Sequence, residues 1–183
     1  MTYIIGAHLK SKRHHHLGQS DIRRYEARQL QYFINGILDK DADANVLLLG
    51  DLNDSPNSSP IKTLLSRNAV KGKRLYELRP VDSNADCWTH LWFVADVYSR
   101  FDYALASFGL LPEVALARSR IPNFPNWLKS SDHRPLLITI TATERPANNV
   151  LSLFPKSVYW QTKGSGRRDA DGRIISSRKS VRE

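Results

Sequence analysis

Four short groups of polar residues carry the side chains that acid–base or metal chemistry requires. The first is Gly50-Asp51-Leu52-Asn53-Asp54, in which Asp51 and Asn53 point to the same side of an extended chain. It follows the wholly apolar run 46–49, which predicts a strand buried on both faces, and α/β proteins place their sites at such strand ends. A carboxylate beside a carboxamide can bind a hard cation, orient water or hydrogen-bond a phosphate. The alternative is a simple turn, which Asp and Asn also favour.

The second group is Ser131-Asp132-His133-Arg134-Pro135, directly before a predicted strand over residues 136–141. In a regular strand Asp132 and His133 would face opposite sides of the sheet. Both can therefore serve one site only if they lie in a loop. A surface turn without function is the alternative reading.

The third group is Asp102, which lies within the apolar segment 101–106. An ionised carboxylate in such a strand is costly unless it is paired. We expect His133 to be its partner, because a carboxylate fixes the tautomer of a histidine and raises its basicity. Pairing with Arg100 or Arg118 is the alternative.

The fourth group is His8, within Ala7-His8-Leu9-Lys10-Ser11. A lone histidine at a strand end is more often structural than catalytic. The run His14-His15-His16 lies in a polar, basic loop, and we expect it to be solvated and not to bind metal.

Together the four groups supply two histidines, three carboxylates and one carboxamide in or beside predicted strands. That set suits metal-assisted transfer of a phosphoryl group to water, in which one group activates water and a cation neutralises phosphate charge. The sequence has no nucleophile elbow of the serine hydrolases and no glycine-rich phosphate loop. It therefore favours a hydrolase that uses activated water.

The elements that must position these groups alternate between strand and helix patterns, which predicts an α/β or α+β layer fold. A helix over residues 21–38, with Asp21 able to cap it, and a short helix from Pro60 are expected. Residues 66–99 are predicted to be irregular and anchored by Trp88 and Trp92. The predicted strands cover residues 3–9, 46–49, 101–106, 114–118 and 136–141.

The 183 residues carry a net charge of +9, and the excess is concentrated in residues 144–183, with nine Lys and Arg against four Asp and Glu. We expect one domain over residues 1–143 and a basic, largely disordered tail over residues 144–183. This charge favours polyanionic partners such as nucleic acid; a solvated tail without a partner is the alternative. The same two readings apply to a loop with Lys71, Lys73, Arg74 and Arg79.

The single cysteine, Cys87, excludes an internal disulfide, and it favours a reducing compartment such as the cytoplasm. No apolar run is long enough to span a bilayer.

These motifs, in this order, resemble the endonuclease/exonuclease/phosphatase superfamily, whose members include deoxyribonuclease I and sphingomyelinases. The resemblance covers residues 7–135. It is carried by the segments around His8, Asp51, Trp88-Thr89, Arg100-Phe101-Asp102-Tyr103 and Ser131-Asp132-His133-Arg134-Pro135. It implies a four-layer α/β/β/α sandwich and hydrolysis of a phosphodiester or phosphomonoester with Mg²⁺ or Mn²⁺.

The resemblance also implies a role for each residue. His133 would act as general base or contact the scissile phosphate, and Asp102 would orient it. Asp51 would position the attacking water or protonate the leaving oxygen, and Asn53 would hydrogen-bond a phosphate oxygen. His8 would match a second catalytic histidine found in some branches. Asp132, with Asp51 and Asn53, would hold the cation.

The family domain begins well before the strand that carries His8, and the earlier segment supplies a glutamate that is the principal metal ligand. Here Met1 falls just before that strand, and Glu26 lies on the predicted helix, in the wrong place to substitute. We therefore expect the C-terminal half of the domain with an incomplete metal site, weak or inactive unless a missing segment or a complementing chain is present. The alternative is a catalytically dead basic half-domain that binds nucleic acid or a partner chain.

Overall fold

A mixed four-stranded sheet forms the centre of the fold in the computed structural model, which describes residues 1–65, 73–141 and 143 and the backbone of 167–168 and 174–175. The strands are β1 (Thr2–Gly6), β2 (Asn45–Asp51), β3 (Leu75–Glu77), β4 (His90–Trp92), β5 (Val97–Ser99) and β6 (Asp102–Ser107). The strand order in the central sheet is β1-β2-β6-β3. Strand β1 runs parallel to β2, and β6 is antiparallel to both of its neighbours. A separate hairpin pairs β4 with β5.

Two helices cover one face of the sheet. Helix α1 (Gln19–Leu38) connects β1 to β2, and α2 (Ser59–Leu65) packs beside it. Their apolar side chains join those of alternate strand residues in one buried cluster, as the two-residue period of a strand requires. The cluster includes Ala27, Ile34, Leu38, Val46, Leu48, Ile61, Leu64, Tyr103 and Leu105. The predicted α/β (α+β) class and the predicted strand over residues 46–49 are therefore confirmed.

Helix α1 begins earlier than predicted. It starts at Gln19 with Gly18 in the N-cap position, and no side chain caps it. The expectation that Asp21 caps the helix was wrong. Asp21 lies in the first turn instead, where its negative charge interacts favourably with the positive end of the helix dipole.

The other face of the sheet is covered by loop segments and short 3-10 helices, Leu111–Glu113 and Leu116–Arg118. The strand predicted over residues 114–118 was therefore wrong. The strand predicted over residues 136–141 is reduced to single bridges, Val114 with Ile140 and Arg120 with Leu137. The hydroxyl oxygen of Ser119 accepts the backbone N–H of Thr139, so a side chain takes the place of a ladder hydrogen bond there.

Residues 73–99 are more regular than expected, because β3, β4 and β5 lie within them. Of the two tryptophans predicted to anchor this segment, Trp88 packs against Tyr98 and under the guanidinium of Arg134. Trp92, on the hairpin, is 55% exposed. Only Trp88 therefore acts as an anchor.

The described residues contain one helix layer against this sheet, and a second large sheet of the implied sandwich is not among them. Three expectations concern residues that lie almost wholly outside the described part of the chain. They are the domain boundary at residue 143, the disorder of the tail and the role of Lys71. The exceptions are β7 (Arg167–Arg168) and β8 (Ile174–Ile175), which pair antiparallel. Among the described residues, no helix combines the length and apolarity that a membrane crossing needs.

Candidate active site

Asp51 and Asp102 occupy directly opposite positions in the β2–β6 ladder. By the alternation of the strands, both carboxylates project to the face that the helices do not cover. Gly50, just before Asp51, has a φ of 137°, and a Cβ there would lie 2.0 Å from the carbonyl oxygen of Ala7. Only glycine lets the end of β2 approach the segment that carries His8 so closely.

His133 lies between the two carboxylates. Its Nδ1 is 2.8 Å from Asp102 Oδ2, and its Nε2 is 3.9 Å from Asp51 Oδ2. Since an ionised carboxylate only accepts hydrogen bonds, Nδ1 is the protonated nitrogen and Nε2 carries the lone pair. The structure thus pairs Asp102 with His133. Arg100, one of the alternative partners, pairs with Glu77 at 2.8 Å.

The backbone around His133 is held by a bridge to the hairpin at His90. Leu91 N–H donates to the carbonyl of Asp132 at 2.8 Å, and Arg134 N–H donates to that of Thr89 at 2.6 Å. The indole N–H of Trp127 donates to the carbonyl of His133. The loop that carries His133 is therefore ordered by main-chain bonds on both sides of the histidine.

The side chain of Arg134 also anchors the loop that carries His133. Its Nη2 is 2.7 Å from Asp82 Oδ2, both side chains are almost fully buried, and the guanidinium lies 4.0 Å from the ring centre of Trp88. Burial opposes the ionisation of Asp82, but the hydrogen bonds from Arg134 and from the N–H groups of Asp86 and Asn84 outweigh it and lower the Asp82 pKa. Sequence reasoning had used Arg134 only as part of a motif.

Thr89 positions Asp102 from the hairpin side. It is completely buried, and its hydroxyl oxygen accepts the backbone N–H groups of Phe101 and Asp102 at 3.0 Å each. Two donors at the start of β6 are satisfied by this one side chain. Thr89 belongs to the Trp88-Thr89 motif, but the motif alone does not indicate this function.

Asn53 holds Asp51 in place. Its backbone N–H donates to Asp51 Oδ1 at 2.8 Å, and its Nδ2 donates to Asp51 Oδ2 and to the carbonyl of Leu9, each at 3.0 Å. Asn53 has a φ of 52°, a left-handed conformation that Asn tolerates better than most residues. Because both amide hydrogens are directed within the protein, the predicted contact to a phosphate oxygen would require one of them to change partner.

His8 stands at the mouth of the site. Its side chain is 73% exposed, and its Nε2 is 3.6 Å from Asp51 Oδ2. The segment that follows is fixed by α1, because Glu26 accepts the N–H of Lys10 at 2.7 Å. Glu26 therefore holds the segment that follows His8 against α1.

Arg23 of α1 links the two loops that border the site. Its Nε is 2.9 Å from Asp54 Oδ2, and its Nη1 donates to the carbonyl oxygens of Lys10 and Ser11. The residue is only 3% exposed. Sequence reasoning missed it, although an arginine four residues before Ala27, on the apolar side of the helix, was a usable signal.

Burial raises the pKa of Asp51, and the charge of Asp102 raises it further, while the N–H of Asn53 and the nearby histidines oppose the shift. Burial, followed by the charge of His133, lowers the pKa of His90. The site therefore combines a carboxylate that accepts a proton more readily than usual with a histidine that accepts one less readily than usual.

His90 is a site residue that sequence reasoning did not identify. Its ring stacks on Phe101 with centres 5.0 Å apart and meets the ring of His133 at 4.8 Å. Its Nε2 is 3.8 Å from Asp132 Oδ2, and the Asp132 side chain is 57% exposed. The available signal was its position directly after Trp88-Thr89, within a segment already singled out.

The ligand-type side chains fall into two groups that share His133. One contains Asp51, Asp102 and His133, and the other contains His90, Asp132 and His133. The predicted metal set of Asp51, Asn53 and Asp132 is thus divided, because Asp132 is grouped with His90 and not with Asp51. Among the described residues, the histidines at positions 14–16 belong to neither group.

The sequence matches a known protein family. The model of the Endonuclease/Exonuclease/phosphatase family matches residues 9–133, from just after His8 to His133 itself. The matched region contains Asp51, Asn53, Asp102 and both groups of ligand-type side chains. None of the curated proteins matches the sequence.

Proposed function

Since this chain belongs to the endonuclease/exonuclease/phosphatase family, we propose that it hydrolyses phosphate esters by means of an activated water molecule. The observation that carries this proposal is the position of His133 between Asp102 and Asp51. The 3.9 Å between His133 Nε2 and Asp51 Oδ2 is too long for a direct hydrogen bond but leaves room for a water in contact with both.

In this proposal His133 is the general base. Its Nε2 takes a proton from the water as the water oxygen attacks phosphorus, and Asp102 stabilises the imidazolium that forms. Asp51 orients the water, and Asn53 orients Asp51 through its two hydrogen bonds. His8, whose Nε2 is 3.6 Å from the same Asp51 oxygen, is placed to donate a proton to the leaving oxygen.

An anionic substrate is favoured by the positive charge beside the site. Lys12 Nζ lies 4.4 Å from the ring centre of Phe101 and 3.8 Å from Asp54 Oδ1, and its side chain remains partly exposed. We propose that it contacts the phosphate groups of the substrate. Nucleic acid is the polyanionic substrate that the net charge of +9 favours.

We further propose that the reaction uses Mg²⁺ or Mn²⁺, since family members generally use divalent metals. Mg²⁺ prefers oxygen donors and is often held by one or two protein groups, with water and substrate phosphate completing the shell. The carboxylate of Asp51 fits that requirement, while Asn53 turns its Nδ2 towards Asp51 and would have to turn its amide oxygen there, and Asp132 lies with the other group. When bound, such an ion would neutralise charge on the phosphate.

The proposal is tested with the purified chain and its His133→Ala variant on a generic phosphodiester, a generic phosphomonoester and plasmid DNA. Only weak hydrolysis in the presence of Mg²⁺ is expected, because the residues of this chain make up an incomplete metal site, and EDTA and His133→Ala should each abolish it. His16→Ala, an exposed histidine outside both groups, is the matched control and should retain activity. Hydrolysis that survives both EDTA and His133→Ala would overturn the mechanism, and DNA binding without hydrolysis would favour a binding protein.

A further inference from the structure

The second group of ligand-type side chains has a fixed geometry of its own. The hydrogen bonds of Leu91 with Asp132 and of Arg134 with Thr89 flank the bridge between His90 and His133. The two histidines are therefore a non-hydrogen-bonded pair of neighbouring antiparallel segments. In such a pair the side chains lie on the same face and approach each other more closely than in the hydrogen-bonded type.

We propose that His90, His133 and Asp132 form a binding site for a zinc-class transition-metal ion. Two imidazole nitrogens and one carboxylate oxygen, one from each residue, all lie within 4.8 Å of one another. Three protein ligands of these types, with a fourth position open, are a known arrangement for zinc, and imidazole favours such ions over Mg²⁺. This donor set differs from the oxygen donors proposed for Mg²⁺.

Asp102 prepares His133 for this role. Its Oδ2, 2.8 Å from Nδ1, fixes the tautomer that leaves the Nε2 lone pair available. A carboxylate bonded to the far nitrogen of a metal-binding histidine is the usual support for such a ligand.

The site would have to contract to close around an ion. The donor atoms of a tetrahedral zinc ion lie about 3.3 Å apart when the metal–ligand bonds are about 2.0–2.2 Å long. His90 Nε2 and Asp132 Oδ2 are 3.8 Å apart, and the Asp132 side chain is exposed enough to rotate. The other two pairs of donor atoms, each within 4.8 Å, would have to shorten towards the same value.

An ion at this position would inhibit hydrolysis, and this consequence rests on the proposed function. Binding would occupy His133 Nε2, the atom that takes the proton from water. Zinc would therefore inhibit the Mg²⁺-dependent reaction by removing the base. The binding itself requires no activity.

Binding is measured on the full chain with Zn²⁺ by calorimetry and with Co²⁺ by visible absorption, which reports its coordination geometry. His90→Phe removes a ligand nitrogen but keeps an aromatic ring against Phe101, and Asp132→Asn changes an exposed side chain. Each should weaken Zn²⁺ binding by at least about tenfold. The triple variant His14→Ala, His15→Ala, His16→Ala is the control and should bind as the unaltered chain does.

Two results of the binding measurements would overturn the site. One is Zn²⁺ affinity that is unchanged in folded His90→Phe and in Asp132→Asn. The other is loss of binding in the triple variant, which would place the ion in the loop of residues 14–16. In the hydrolysis assay, Zn²⁺ should inhibit the unaltered chain more strongly than His90→Phe. Equal inhibition of the unaltered chain and of His90→Phe would reject the metal site while leaving the proposed function intact. If the chain hydrolyses no substrate, the binding measurements and the Co²⁺ spectrum still test the site.

Discussion

Asp51 and Asp102 face each other across strands β2 and β6 with both side chains largely buried. Like charges at directly opposite positions of a ladder destabilise a sheet. The cost is offset by separate partners, because Asp102 bonds His133 and Asp51 accepts two hydrogen bonds from Asn53. A carboxyl group whose pKa is raised by burial and by a second carboxylate, as that of Asp51 is, is characteristic of functional sites.

Asp51→Asn should change how stability depends on pH. Burial, reinforced by the charge of Asp102, raises the pKa of Asp51, so the folded state binds this proton more tightly than the unfolded state does. The free energy of unfolding therefore falls as pH rises from about 4 through the raised pKa. Asn has no such charge, although it loses one hydrogen bond to Asn53. Between pH 3 and pH 7, the Tm of the variant relative to the unaltered chain should rise by about 2–5 °C in EDTA. A difference in Tm between the variant and the unaltered chain that is the same at pH 3 and at pH 7 would contradict the raised pKa of Asp51.

Asp102→Asn should reduce hydrolysis by about 10²–10⁴-fold with little loss of structure. The amide can present N–H to His133 Nδ1, which favours the tautomer with the proton on Nε2, where the base needs its lone pair. Initial rates on the phosphodiester measure the effect. Asp96→Asn makes the same chemical change at an exposed position of the hairpin that Asn tolerates, and its activity should be unchanged. A similar loss in both variants would argue against a specific role for Asp102.

Thr89→Val should destabilise the fold by about 1–3 kcal/mol, as judged by urea denaturation. Valine has the shape of threonine but leaves the N–H groups of Phe101 and Asp102 without their acceptor. Thr89→Ser keeps the hydroxyl and removes one methyl group, so its loss should be only about 1 kcal/mol. If serine were as damaging as valine, packing of the methyl group and not hydrogen bonding would account for the contribution of Thr89 to stability.

The sequence was most informative where one local signal determines the element. The continuous apolar run 46–49 has only one plausible environment, a strand buried on both faces, and β2 lies there. Asp51 and Asn53 then follow at the strand end, and the structure brings Asp51, Asp102 and His133 together. The roles of these residues in hydrolysis remain predictions.

The sequence was least informative where geometry depends on contacts between distant segments. His90 reaches the site only because the hairpin bridges the backbone at His133, and no periodic pattern encodes that bridge. The partners of Arg23 are recognisable only when the loops beside α1 are in place. The segment 114–118 has strand-like residues, but one 3-10 helix, Leu111–Glu113, ends just before it and another, Leu116–Arg118, lies within it. A single bridge at Val114 replaces a ladder.

Gly50→Ala should be the most damaging of the small substitutions considered, with a loss of more than about 3 kcal/mol or failure to fold. A methyl group at Gly50 would lie 2.0 Å from the carbonyl oxygen of Ala7, and the φ of 137° is one that alanine rarely adopts. Relief of this contact would separate the end of β2 from the segment of His8. Activity should therefore fall even in any fraction that folds.

Gly36→Ala is the matched control, because Gly36 lies within helix α1 and a Cβ there meets no atom within 4 Å. Alanine has the higher helix propensity, so this variant should be more stable by about 0.5–1 kcal/mol. Thermal denaturation and soluble yield of the two variants are compared under the same conditions. Equal Tm values would show that β2 and the segment of His8 do not require the close approach at Gly50, and the placement of His8 beside Asp51 would lose its structural basis.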